Sequence, residues 1–399
     1  MIDWNGRYAS RMKNVVASDI REKMKLLGQR NIIHLGGGLP DPALFPEAAL
    51  ADAASAILND SARARQALSY APSEGHAPLR QWVADYQTRR GAACSIDNVM
   101  ITNGSQQGLD FVARLFLAPG DPVMVEIPAF VGALRAFDAY EPRYVPLGRD
   151  TGDAKFAYVG TEFCNPTGLS MTAEHRQSLI DVARERGMPV LEDGCYEQLR
   201  YEGESLPPLF VTAAQQCGGV EQSPFLHAGS FSKIIAPSLR IGWLAGPAEV
   251  IRKLVLIKQA ADLATSALNQ MLALEVLEGG LDEHLAMVRQ AYRERRDSML
   301  AALSRHMPAG VEWTSPEGGL YVWVTFPEGF DAAAFAERVL LEREVSVVAG
   351  QAFHPQTNPI DPGCARSIRL SFSMIDAEQA AEGVARFGEL ARLCLAAPN

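Results

Sequence analysis

Seven short apolar runs punctuate the first two thirds of the chain, at residues 99–102, 123–127, 143–147, 156–159, 190–192, 225–227 and 241–245. Their length and their content of β-branched and aromatic residues predict buried strands. Stretches with helical periodicity lie between several of them, including 107–117 and 173–186. Strands alternating with helices predict an α/β fold, with a mostly parallel seven-stranded sheet covered on both faces and ligands at the carboxyl ends of the strands. Earlier in the chain, 18–27 reads as a short amphipathic stretch. Residues 48–92 read as two helices separated by Leu68-Ser-Tyr-Ala-Pro-Ser-Glu-Gly75. Beyond Gly246 one long helical region passes through Gln259, Val276 and the charged 289–296. Alternation then returns in a hairpin-like 311–326, with Gly318-Gly319 at its turn, and in 345–348 and 368–372. These last elements predict a second, smaller α+β unit.

Residues 229–243, Gly-Ser-Phe-Ser-Lys-Ile-Ile-Ala-Pro-Ser-Leu-Arg-Ile-Gly-Trp, combine Ser230, Ser232, Lys233 and Arg240 in an otherwise apolar or turn-forming segment. Both flanks read as buried strands. A lysine between core strands is costly if charged and unpaired, and burial makes its amine nucleophilic, as a Schiff-base lysine requires. Arg240 keeps its charge and offers a fork suited to a dianionic phosphate. An aldehyde cofactor carrying a phosphate, pyridoxal phosphate, fits that set. Taken alone, the same residues also fit a lysine snorkelling to solvent and an arginine paired with a carboxylate.

The pattern Ser-x-Ser-Lys, six residues, then Arg-x-Gly-Trp resembles the cofactor-lysine motif of the fold-type I, class I/II aminotransferases. Further segments in the same order carry the resemblance. Gly36-Gly-Gly-Leu-Pro-Asp-Pro42, preceded by Ser18-x-Ile-Arg-Glu22, is similar to the α-aminoadipate, kynurenine and broad-specificity (LysN-like) subgroup. It implies that Gly38 and Leu39 lie over the substrate, and that Arg21, on a mobile N-terminal helix, can meet a distal carboxylate. An exposed helix charge is the competing reading of Arg21. Tyr70-Ala-Pro-Ser-Glu-Gly75 resembles a segment whose tyrosine reaches the phosphate of the neighbouring subunit, which implies a homodimer with shared active sites. Asn103-Gly-Ser-Gln-Gln-Gly108 resembles the phosphate turn, giving Ser105 and Gln106 to the phosphate at a helix N-terminus. Phe130 stands where the family stacks an aromatic on the cofactor ring, and it lacks the hydroxyl often present there.

Asn165-Pro-Thr-Gly168 matches the Asn-Pro-x-Gly signature, whose amide donates to the cofactor's phenolic oxygen. Asp193 fits the carboxylate facing the pyridine nitrogen, and Tyr196 would reach the phenolic oxygen. Arg369, in an alternating strand, matches the arginine that binds the substrate α-carboxylate. The chain departs from the subgroup at 148–155, a loop where relatives carry an extra helix. The resemblance spans about residues 15–390 and implies a small domain made from both termini. The expected division is an N-terminal segment 1–45, a large cofactor-binding domain 46–290 and a small domain 291–399. The implied activity moves an amino group between an L-amino acid (glutamate or 2-aminoadipate, or an aromatic or branched donor) and a 2-oxo acid in a ping-pong cycle. The alternative is a specialised biosynthetic enzyme using the same carbanion for elimination, replacement or cyclisation.

Composition narrows the partners. Of 399 residues, 21% are charged, and the formal net charge of −10 provides no basic footprint for nucleic acid. No apolar run reaches membrane-spanning length and no signal-peptide core opens the chain, so a cytoplasmic protein is expected. The six cysteines lack CxxC spacing and read as reduced thiols, and the histidines show no pairing that implies a metal.

Overall fold

The structure, a computed structural model, describes residues 2–13, 32–148 and 152–396. Its strands are β1 (Ile33–His34), β2 (Val99–Asn103), β3 (Pro122–Val125), β4 (Arg143–Pro146), β5 (Phe156–Gly160), β6 (Val190–Asp193), β7 (Phe225–Ser230), β8 (Ile241–Ala245), β9 (Glu312–Trp313), β10 (Tyr321–Thr325), β11 (Val345–Ser346), β12 (Val348–Ala349) and β13 (Ser367–Ser371). The large sheet has the order β2-β8-β7-β6-β5-β3-β4. It holds one strand for each of the seven apolar runs. Strand β8 runs antiparallel to both neighbours, β2 and β7. The pairs β7–β6, β6–β5, β5–β3 and β3–β4 are parallel. Every residue of β3, β7 and β8 is buried. Helices cover both faces, so the strands read as continuous apolar runs rather than alternating ones.

This topology decides where chemistry can sit. Residues 104, 126, 161, 194 and 231 each follow the carboxyl end of a strand at one edge of the sheet. Because β8 runs the other way, it presents its amino end at that edge, and Arg240 immediately precedes it. A four-stranded antiparallel sheet, β12-β13-β10-β9, forms the smaller unit, and the two-stranded parallel pair β1–β11 ties the N-terminal segment to it.

Three readings of the pattern are corrected. Residues 48–92 hold three helices, Glu47–Asn59, Ser61–Leu68 and Ala77–Arg89. The first ends at Asp60, whose carboxylate accepts from the amides of Ala62 (2.8 Å) and Arg63 (2.9 Å) and caps the second. The region beyond Gly246 is likewise three helices, Ala248–Ala261, Ala267–Glu278 and Leu281–His306. Its breaks fall at Leu263 (φ 67°) and Gly280 (φ 133°), both in the left-handed region. The run 345–348 is two strands in different sheets, because β11 pairs with β1 whereas β12 pairs with β13. No helix stands between β4 and β5 among the described residues. The amphipathic stretch 18–27 lies outside them.

Candidate active site

At the sheet edge Gly104 takes φ 72° before the helix Ser105–Phe116, whose first amides are free to meet an anion. A side chain at 104 would be strained at this φ, and its Cβ, 2.5 Å from Arg240 Nη2, would displace the guanidinium. Arg240, itself at φ 54°, donates from Nη2 to Asn103 O (3.3 Å) and from Nη1 to Pro237 O (3.2 Å). Gln106 donates to Gly132 O (2.7 Å), and the Ser232 amide donates to Ser230 Oγ (3.2 Å). A closed polar network supports this turn from beneath. Fully buried Lys258 donates to Gln107 Oε1 (2.8 Å) and to both oxygens of Asp262 (3.0 Å each). Asp262 Oδ2 also accepts from Asn103 Nδ2 (2.5 Å) and Gln107 Nε2 (2.7 Å).

The carboxylate of Asp193, at the end of β6, is held on both oxygens. Tyr158 OH donates to Oδ2 (2.8 Å) and the Cys195 amide to Oδ1 (3.1 Å). Burial, reinforced by the Asp193 charge, drives the Tyr158 hydroxyl and the Cys195 thiol well above their ordinary pKa values, so both stay protonated. Phe130 opens the helix Val131–Asp138; a Cβ on Gly132 would come within 2.4 Å of its ring. Glu126, after β3, accepts from the Gly160 amide (2.9 Å), and burial raises its pKa to about 7.

Lys233 Nζ donates to Gly38 O (3.2 Å) and lies 5.6 Å from the centre of the Tyr196 ring. From there a chain of polar contacts crosses the cavity. The hydroxyls of Tyr196 and Tyr321 are 2.9 Å apart, and Asn165 Nδ2 donates to Tyr321 OH (3.4 Å). Asn165 Oδ1 in turn accepts from Arg369 Nη1 (2.8 Å). Arg369 also donates from Nη2 to Gly36 O (2.7 Å) and stacks over Tyr321 (4.4 Å) and Phe353 (4.9 Å). Its Nε is enclosed and has no hydrogen-bond partner among the described residues. Burial lowers the pKa of this guanidinium without removing its charge.

One cavity of ≈1570 Å³ therefore gathers Lys233, Ser105, Gln106, Phe130, Asn165, Asp193, Tyr196, Ser230, Ser232, Arg240, Arg369, Gly38 and Leu39. Tyr70 is not among its walls; it is 90% exposed on the surface. Arg21 lies outside the described residues. Sequence reasoning passed over Tyr158, Cys195, Tyr321 and the Lys258–Asp262 pair. Only the last left a signal, an acid four residues after a lysine at a helix end.

Residues 30–387 match the family Aminotransferase class I and II. The chain belongs to that family. It is 38% identical to a 2-aminoadipate transaminase of Thermus thermophilus, over 99% of each chain. It is 35% identical to aromatic-amino-acid aminotransferase 1 of Thermococcus litoralis, over 97% of this chain and 94% of the relative. The crystal structure of the α-aminoadipate aminotransferase LysN from Thermus thermophilus, complexed with N-(5'-phosphopyridoxyl)-L-leucine, is similar with a TM-score of 0.88. That match has 37% identity and covers 99% of this chain and 100% of that one.

This aminotransferase is a pyridoxal-phosphate-dependent transferase of the fold-type I architecture. Its cavity suits that cofactor. Three hydroxyls, a helix N-terminus and an arginine gather at one end, a carboxylate lies on the floor, and a primary amine stands between them. The reaction is amino-group transfer, and elimination, replacement or cyclisation is not favoured. No described helix is long and apolar enough to cross a membrane.

Proposed function

We propose that this aminotransferase runs a ping-pong exchange between an L-amino acid and a 2-oxo acid, with Lys233 as covalent anchor and proton carrier. The observation that carries this reading is that one cavity holds both Lys233 and Arg369, whose Nε has no partner among the described residues. The cofactor, when bound, supplies an electron sink for the charge left at the α-carbon. Ser105, Gln106, Ser230, Ser232 and Arg240 hold its phosphate, and Asp193 keeps its pyridine nitrogen protonated. Phe130 stacks on the ring, while Asn165 and Tyr196 donate to the phenolic oxygen. Arg369 grips the α-carboxylate as a bidentate fork and so orients the α-hydrogen. Lys233 Nζ would take that proton as base and then, as acid, release it on the cofactor side of the amino nitrogen.

Gly38 and Leu39 form the roof over the substrate. Tyr70 does not line its own cavity, and its exposure supports service to the phosphate site of a second copy in a homodimer. Six free cysteines suit a cytoplasmic, biosynthetic enzyme. We assign residues 46–290 to a large domain and 291–399, joined by 1–45, to a small one. The names of the relatives support dicarboxylic and aromatic donors. The test mixes holoenzyme with single amino acids and no oxo acid, then identifies the released cofactor by mass. Stoichiometric pyridoxamine phosphate is expected, with Lys233→Ala reducing the rate at least ~10³-fold. Product formed without pyridoxamine phosphate, or near-normal turnover by Lys233→Ala, overturns the proposal.

A further inference from the structure

Tyr321, in β10, is buried and lines the cavity, and its hydroxyl meets groups from three other segments. It lies 2.9 Å from Tyr196 OH and accepts from Asn165 Nδ2 (3.4 Å). It also lies 3.4 Å from Gly38 O, the carbonyl that accepts from Lys233 Nζ (3.2 Å). A Cβ on Gly38 would come within 2.6 Å of this hydroxyl, so the glycine lets the roof approach it. The ring is held by other means. The Arg369 guanidinium sits 4.4 Å from its centre, and the Tyr196 ring meets it edge-on with 5.7 Å between centres.

A phenol has one proton and cannot donate to Tyr196 and Gly38 together. The 2.9 Å contact is close to the usual O–H···O length, whereas 3.4 Å is well beyond it, so the proton goes to Tyr196. The Tyr321 oxygen then accepts from Asn165, and the Tyr196 O–H is left free to point into the cavity. The reverse order would spend the only proton of Tyr196 inside the wall. Burial, reinforced by the adjacent Tyr321, drives the Tyr196 hydroxyl well above its ordinary pKa, so it stays a donor. The other titratable or charged groups beside the pair are Lys233, Arg369, Cys195 and Tyr292.

We propose that Tyr321 is a positioning residue of the reaction: its hydroxyl donates to Tyr196, and so aims and strengthens the hydrogen bond that Tyr196 gives to the cofactor's phenolic oxygen. The inference rests on the assignment of Tyr196 to that oxygen. A hydroxyl whose own oxygen accepts a hydrogen bond donates a stronger one. Negative charge on the phenolic oxygen holds a proton on the nitrogen that Lys233 contributes. Donors that spread this charge let the proton leave at lower pH. Tyr321 therefore helps set where the resting holoenzyme titrates, and it does so through another side chain.

The experiment titrates the visible absorbance of resting holoenzyme, with no amino acid present, in wild type, Tyr321→Phe, Tyr196→Phe and the double variant. Phenylalanine keeps the ring under Arg369 and removes only the hydroxyl. Tyr321→Phe is expected to raise the midpoint by roughly 0.2–0.7 pH unit, part of the worth of one neutral hydrogen bond. Tyr196→Phe should raise it further. Adding Tyr321→Phe to that variant should move it by less than about 0.1 unit, because the hydroxyl then has nothing to act through. No shift or a downward shift in Tyr321→Phe overturns the proposal, as does an equal upward shift in both backgrounds. If Tyr196→Phe leaves the midpoint unmoved, the assignment of Tyr196 fails and the inference falls with it. A shift in Tyr196→Phe alone overturns the role of Tyr321 and leaves that assignment standing. The titration needs no turnover, so its outcome is separate from that of the half-reaction.

Discussion

The two ends of the cavity are built by different means. The end proposed for the phosphate is made from turns joined to adjacent strands β2, β7 and β8, with backbone in unusual conformations at Gly104 and Arg240. Its donors are fixed by short-range geometry and by the buried Lys258–Asp262 network beneath. The substrate end is made from side chains brought together over long chain separations: Arg369 binds Gly36 O across 333 residues and Asn165 across 204. Stacked rings and mutual hydrogen bonds hold it. One end is a moulded backbone and the other is a truss, so grip on the cofactor and grip on the substrate should fail separately.

The largest expected separation comes from Arg369→Gln. Losing a buried, bidentate, charge-assisted contact costs about 2–5 kcal/mol, so the half-reaction's rate over binding constant should fall by roughly 10²-fold or more. Pyridoxal phosphate affinity of the apoprotein should stay within about twofold of wild type. A matching loss of cofactor affinity would show that the two ends are one structure.

The converse variant is Asp262→Asn, which removes the charge that joins Lys258, Asn103 and Gln107 under the phosphate turn. Cofactor binding should weaken about tenfold, while the fully reconstituted enzyme keeps its substrate binding. Equilibrium dialysis of apoprotein against pyridoxal phosphate measures the first effect and the half-reaction the second. Unchanged cofactor affinity would mean that the turn holds its shape unaided.

The least effect on activity concerns Glu126, on the cavity wall. Its pKa is raised by burial from 4.5 to about 7. The native chain therefore binds a proton, between those values, that the unfolded chain has already released. Stability must then fall as pH rises through this window, by less than about 3 kcal/mol, because the side chain keeps some contact with solvent. Glu126→Gln should flatten the fall between about pH 4.5 and pH 7 in denaturant titrations. Parallel curves for variant and wild type would remove Glu126 as its source.

Legibility in the sequence followed the same division. Strands β2, β3 and β5 to β8 were readable because both faces are buried, which leaves unbroken apolar runs, whereas the edge strand β4 is half exposed. Arg240 was readable from its spacing to Lys233, yet its reach depends on the reversed direction of β8, which no local pattern states. Tyr321 and Tyr158 were not readable. A tyrosine in an apolar strand looks like core. Only the pairing of β10 with β13 places Trp323 opposite Arg369, with Tyr321 stacked against the guanidinium. The helix boundary at Asp60 was missed because one capping carboxylate interrupts an otherwise continuous helical composition.

The attachment of the roof bears on the order of assembly. Gly36 is held by Arg369, Leu35 O accepts from the Ser371 amide (2.7 Å), and Leu39 O accepts from Ser373 Oγ (2.7 Å). A ribosome emits residues 35–39 early and their partners more than 300 residues later, on the order of tens of seconds at about 5–20 residues per second. During that interval the whole seven-stranded sheet can emerge and pair while the roof still lacks its Arg369, Ser371 and Ser373 partners. The last part of the site to close is thus synthesised before the rest of it. A nascent chain arrested before β13 would carry a finished cofactor floor under an open top.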